Sequence, residues 1–224
     1  MQIFFTCSSR RRGLFLVLVA VLLPACSLLP KTPKTPLRTY ILDFEDAALN
    51  RSATPVCASS ATTLLVNLPR DQAGLDTPRI AYLRQPHEVS YYADSQWTAT
   101  PARLLVPLLV RALEQTGCWR TVSQMPAAVH GDYRLDTDII HWQQEFFSSP
   151  SRAHLTVRIQ LVEQRKQEVI ASRQFEVFAP APSEDAPGGV IATNRAAEQL
   201  LQQVAEWASN QMHDATLPQA SGGA

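Results

Sequence analysis

The spacing of hydrophobic residues changes along this chain, and each change marks a different element. Arg10-Arg11-Arg12 precede an unbroken apolar run from Leu14 to Leu23. At about ten residues, that run is too short for a permanent membrane span, which needs roughly 20. Residues 27–37 (SLLPKTPKTPL) show no period and carry three prolines. From Thr39 to Phe44 a short strand is predicted, and Thr62 to Leu68 is a near-continuous apolar run stopped by Pro69, as expected for a strand covered on both faces. Arg79–Leu83 and Glu88–Tyr92 read as the arms of a hairpin turning at Arg84-Gln85-Pro86-His87. Leu104, Leu105, Leu108, Leu109 and Leu113 then form a helical stripe that Gly117 ends, with Thr100 as N-cap and Pro101 in the first turn. Pro107 inside it predicts a kink or a late helix start.

Period two returns in Tyr133, Leu135, Thr137 and Ile139, opposed by Asp132, Arg134, Asp136 and Asp138. It is cleanest in Leu155, Val157, Ile159 and Leu161, and continues in Val169, Ala171 and Phe175. Turns at 148–151 and 163–168 make these three strands an antiparallel meander with one solvated face. A Pro-rich loop, 179–189, leads to a last helix whose apolar face is Ala197, Leu200, Leu201, Val204, Trp207 and Ala208. Each helix has a single apolar face, so the economical fold is α+β: a two-layer sandwich, mostly antiparallel sheet with two main helices packed on one face. The division expected is a signal peptide at 1–25, a tether at 26–37, a domain at 38–210 and a disordered tail at 211–224.

The N-terminus adds chemistry to this plan. Three arginines, a short apolar core and small residues are the parts of an export signal. Leu23-Pro24-Ala25-Cys26 looks like a lipobox, so Cys26 is the expected lipidation site; a plain secretion signal with an incidental cysteine is the alternative. The tether should run near polyproline II for roughly 30 Å, at about 3.1 Å per residue. Ser27, where an aspartate would resemble an inner-membrane retention signal, favours the periplasmic face of the outer membrane. Cleavage removes three of 20 basic residues and no acid, leaving 17 against 20, a net charge of −3. With no basic surplus, nucleic-acid binding is not expected. In an oxidising compartment Cys57 and Cys118 are either bridged or two independent buried thiols.

Catalytic signatures are absent: there is no nucleophile elbow and no P-loop. The histidines at 87, 130, 141, 154 and 213 never stand at a metal-ligand spacing, and neither cofactor nor metal is expected. His141 and His154 would face each other across a hairpin with Glu145 nearby, yet such residues are usually ordinary exposed sheet positions. Asp136 and Asp138 share a strand face with Arg134, which reads as a solvated face rather than an acid–base pair. Cys118 has no histidine partner in its motif, so a nucleophile is not expected. Tyr82, Tyr91, Tyr92 and Trp97 either pack over the sheet or, with the 95–97 loop, form a partner-docking surface.

Several blocks together resemble the ABC-type transport auxiliary lipoprotein family, with paraquat-inducible protein C as a more distant relative. They are Arg79-Ile80-Ala81-Tyr82-Leu83-Arg84, Glu88 to Ala93, Trp97, Pro107 to Glu114, Asp132 to Thr137, Gly188-Gly189-Val190 and Asn194-Arg195-Ala196. The resemblance spans roughly 38–210 in order. It implies a non-enzymatic lipoprotein anchored to the membrane, whose partners are an MCE-domain substrate-binding protein and its ABC permease and ATPase, in intermembrane lipid transport. Self-association is left open. A lipid-binding or lipid-sensing lipoprotein acting in its own right, using the groove between helices and sheet, is the alternative.

Overall fold

The computed structural model describes residues 36–43 and 61–216, with side chains as far as Met212. The chain divides into two units, Met1–Pro36 and Leu37–Ala224. Apart from Pro36, every described residue lies in the second. Its elements in order are β1 (Arg38–Tyr40), β2 (Thr63–Val66), β3 (Arg70–Asp71), β4 (Arg79–Leu83), β5 (Val89–Trp97), α1 (Pro101–Gln115), β6 (Thr121–Gln124), β7 (Tyr133–Glu145), β8 (Arg152–Glu163), β9 (Glu168–Pro180) and α2 (Ala186–Thr216). Among the described residues no helix is long and apolar enough to cross a membrane.

β7, β8 and β9 form the expected antiparallel meander, with Leu135 opposite Leu161 and Val157 opposite Phe175. The hairpin β4–β5 is the third antiparallel ladder, and these three carry most of the pairing in a nine-stranded open sheet. The short strands pair parallel, which the sequence pattern did not reveal. β2, β3 and β4 lie end to end along one edge of β7, at Tyr133–Leu135, Asp138–Ile139 and Gln144–Glu145. β6 extends the sheet beyond β2, and β1 pairs with the end of β5. Flanked on both sides, β2 is buried at all four positions, which is why its sequence is continuously apolar.

The two helices close one face, giving the α+β sandwich. Leu155, Val157, Ile159 and Leu161 of β8 meet Leu200, Leu201 and Val204 of α2, all without solvent exposure. α2 approaches closely because Ala192, Ala196 and Ala197 line the same face. α1 starts at Pro101 and runs through Pro107, so there is no late start. Pro107 and Arg103 both lie on the solvent side, where the carbonyl that lacks a helical donor can be hydrated. Thr100 occupies the N-cap but makes no side-chain cap bond; Asp71, from β3, accepts from the Ala102 N–H at 3.0 Å instead. Gly117, at φ +65°, ends the helix as expected.

Several boundaries differ from the pattern-based reading. β9 continues to Pro180 and α2 begins at Ala186, so most of the expected 179–189 loop is strand or helix. Asp185 makes the early start stable: its Oδ1 accepts from the Gly188 N–H at 2.9 Å and the Ser183 hydroxyl at 2.5 Å. α2 also runs to Thr216, into the stretch expected to be a disordered tail from residue 211. β1 stops at Tyr40 and 41–43 are not strand, so the strand expected to reach Phe44 is shorter; Phe44 itself lies outside the described residues.

Candidate functional site

The aromatic hairpin is built differently from its sequence-level reading. β5 does not stop at Tyr92 but continues to Trp97, because β1 pairs alongside Ser95–Trp97. Residues 95–97 are therefore strand, and Trp97 is 1% exposed in the main core. It cannot present a surface to a partner, which corrects its place in the docking group. Tyr91 is half-buried, donating from its hydroxyl to the Gly74 carbonyl at 2.8 Å under the Arg79 guanidinium.

The remaining pair forms a cluster. The Tyr82 and Tyr92 rings lie 4.7 Å apart, and Phe146 meets Tyr82 edge-on at 5.9 Å. The guanidinium of Arg84 sits 4.6 Å from the Phe146 ring centre and 5.6 Å from that of Tyr82. Val89, about half exposed, pairs with Leu83 and so faces the other side of the sheet from Tyr82. Aromatic rings with an arginine are the composition of a protein-contact surface. Phe146 carries no sequence signal for this cluster, since it reaches Tyr82 from just past the end of β7, 64 residues away in the chain.

Beneath the cluster lies Gln144, 1% exposed and facing the helix layer. Its Oε1 accepts from the Tyr92 hydroxyl at 2.8 Å, and its amide donates to the Ser151 hydroxyl at 2.8 Å. Burial pushes the Tyr92 hydroxyl up to about 12, so it remains a donor. Gly189 of α2 packs directly on this amide, and a Cβ there would overlap it; a Cβ on Gly188 would overlap the Ser183 carbonyl. The Gly188-Gly189 pair is thus required by close approach of the helix to its own preceding loop and to Gln144. Gly188→Ala should lower stability by about 1–3 kcal/mol, seen as a lower midpoint in urea unfolding, because the obstructing atom is backbone.

The opposite sheet face is polar, and the structure brings together three residues considered for it. A β-bulge between Ile139 and His141 reverses the facing of β7: Trp142 and Gln144 turn to the core, and His141, Gln143 and Glu145 to the other face. His154 is not an ordinary exposed position; it is 7% exposed. Its Nδ1 lies 2.6 Å from Glu145 Oε1, and its Nε2 lies 2.8 Å from Glu176 Oε1 and 2.9 Å from the Thr156 hydroxyl. That hydroxyl is also 3.1 Å from His141 Nδ1. The His154 ring is held between His141 and Phe178, with centres 4.4 and 4.3 Å away. Burial, with the neighbouring His154, pushes His141 below its ordinary value. Burial alone would raise the Glu145 carboxyl, but hydrogen bonds from His154, Gln143 and Arg152 outweigh it and hold the group down. Glu176 and Thr156 carried no sequence signal, since they join this group only across strands.

Asp136 and Asp138 are ion-paired rather than free for acid–base work. Arg134 grips Asp136 with two bonds at 3.0 and 2.9 Å, beside a cavity of about 360 Å³ that Asn67 and Arg70 also line. Asp138 lies between Arg70 at 2.7 Å and Arg158 at 2.9 Å. Burial raises its carboxyl, but hydrogen bonds and charge from both arginines lower it further. Cys118 is buried and disulfide-bonded. It is the only cysteine among the described residues; Cys26 and Cys57 lie outside them.

Comparison with curated protein sequences finds no match. Solved structures share the fold. Protein XCC0632 from Xanthomonas campestris superposes with a TM-score of 0.72 at 23% identity, over 80% of this chain and 98% of that one. The hypothetical protein CT253 from Chlamydia trachomatis gives 0.50 at 6% identity, over 68% and 98%. The family model of the ABC-type transport auxiliary lipoprotein component matches residues 48–205, most of the sandwich just described. The chain belongs to the ABC-type transport auxiliary lipoprotein component family.

Proposed function

We propose that this protein is the outer-membrane-anchored, non-catalytic adaptor of an MCE-type ABC intermembrane lipid transport system. The observation that carries the reading is the family match over residues 48–205, joined to a lipobox cysteine and a proline-rich tether upstream. Acyl chains on Cys26 would contribute about 0.8 kcal/mol per buried methylene, and the three chains of a bacterial lipoprotein anchor it permanently. Anchoring at the periplasmic face confines the domain to a thin layer and raises its effective concentration towards the MCE-domain partner. The Tyr82–Tyr92–Phe146 cluster with Arg84 is the docking surface in this reading. A role as an independent lipid carrier is less well supported, because the space between sheet and helices is filled by Leu155, Val157, Leu200 and Leu201.

Cross-linking the full chain in cells, then purifying it, should recover an MCE-domain protein with its permease. Tyr82→Ala with Arg84→Ala should reduce that recovery at least tenfold while leaving the unfolding midpoint within a few degrees. Recovery of neither transport component from the wild type rejects the adaptor role; undiminished recovery with the variant rejects the docking surface. Phospholipid co-extracted with protein lacking its anchor would instead favour the carrier role.

A further inference from the structure

The polar sheet face holds a group that neither the adaptor role nor the docking cluster uses. One side-chain atom each from His141, His154 and Glu176 lies within 4.8 Å of the other two. The three residues come from β7, β8 and β9, so the group spans the meander. Glu145 holds His154 through Nδ1 at 2.6 Å and is itself held by Gln143 at 3.0 Å and Arg152 at 3.2 Å. A carboxylate on one imidazole nitrogen fixes the ring and its tautomer, leaving the other nitrogen to a ligand. That other nitrogen, Nε2, lies 2.8 Å from Glu176 Oε1 and 2.9 Å from the Thr156 hydroxyl, and the Glu176 side chain is 49% exposed.

We propose that His141, His154 and Glu176 form a binding site for a divalent transition-metal ion of the zinc class, with Glu145 as the outer carboxylate that orients His154. Two imidazoles and one carboxylate suit a borderline ion, and such three-ligand sites take a water at the fourth position. Metal–ligand bonds of about 2.0–2.1 Å put tetrahedral ligand atoms roughly 3.4 Å apart. Small side-chain rotations of the half-exposed His141 and exposed Glu176 supply that adjustment. The positive charge of Arg152 is matched by Glu145, and its guanidinium is turned over the Phe178 ring at 4.0 Å. The ion takes the place of the direct contact between His154 Nε2 and Glu176 Oε1, 2.8 Å apart. The bulge at Ile139–His141 is what delivers His141 to this face, as bulges do beside functional sites.

The test uses the tag-free full chain in detergent, stripped with a chelator and titrated with ZnCl2 against a chromophoric competitor. One ion per chain is expected. Cobalt(II) should give the visible absorption of a tetrahedral site, and saturating zinc should raise the unfolding midpoint by several degrees. His141→Ala and Glu176→Gln alter accessible side chains and should each weaken binding at least tenfold, whereas His130→Ala should not. Glu145→Gln should weaken it by about 10–100-fold. Binding equal in the wild type and the His141→Ala/Glu176→Gln double variant would overturn the proposal, as would no stoichiometric binding at all. Neither outcome depends on which transport system the protein serves.

Discussion

Trp97→Ala should destabilise the domain by about 3–5 kcal/mol, the cost of removing a large aromatic side chain from a filled core. In a domain of this size that lowers the thermal midpoint by roughly 10 °C or more. The expectation rests on position: Trp97 is 1% exposed, its backbone N–H donates to the Pro78 carbonyl at 2.7 Å, and Tyr40 of β1 lies opposite it. Circular dichroism through thermal unfolding measures it directly. A midpoint within two or three degrees of wild type would mean that the indole is not where the core needs it. Tyr82→Ala makes the useful contrast, since that ring is only half-buried and its loss should be felt by a partner rather than by the fold.

The second large effect concerns Cys118. We propose Cys57 as its disulfide partner, since Cys7 would leave with the signal and Cys26 would carry lipid. Residues 57 and 118 would close a loop of about 60 residues, and constraining such a loop in the unfolded chain is worth about 4 kcal/mol. The Cys57→Ala/Cys118→Ala variant should therefore unfold about 8–15 °C below wild type. Added reductant should move the wild type toward the variant and leave the variant unchanged. Mass spectrometry of non-reduced mature protein in which both thiols accept alkylating agent would exclude the pairing. A bridge there would tie a residue just after α1 to the stretch of chain preceding β2.

Family membership and the sheet's polar face answer different questions. Membership says that the protein serves an ABC-type transport system as an auxiliary lipoprotein. It does not say what a buried histidine between two carboxylates is for. In the fold, His154 is held by β7, β8 and β9 together, so an ion there would clamp the three longest strands. The Tyr92–Gln144–Gly189 contact links the aromatic cluster to α2 in a similar way. Both groups depend on residues from separate parts of the chain.

Local patterning by itself determined the α+β class, the meander, both helices and the burial of β2. Those features follow from side-chain period, and period is a property of consecutive residues. Thr100, Pro101 and Gly117 likewise marked the limits of α1 correctly, because backbone stereochemistry there is local. What only the tertiary structure decided is which residues meet across strands. A two-residue strand such as β3 has no period to read, and it forms because β7 offers it an open edge. The bulge in β7 adds one residue and so reverses the face of everything after it, moving His141 beside His154 and Gln144 into the core. Asp71 caps a helix 30 residues away, and Glu176 reaches His154 from another strand. Such partners are chosen by three-dimensional proximity, which no spacing along the chain encodes.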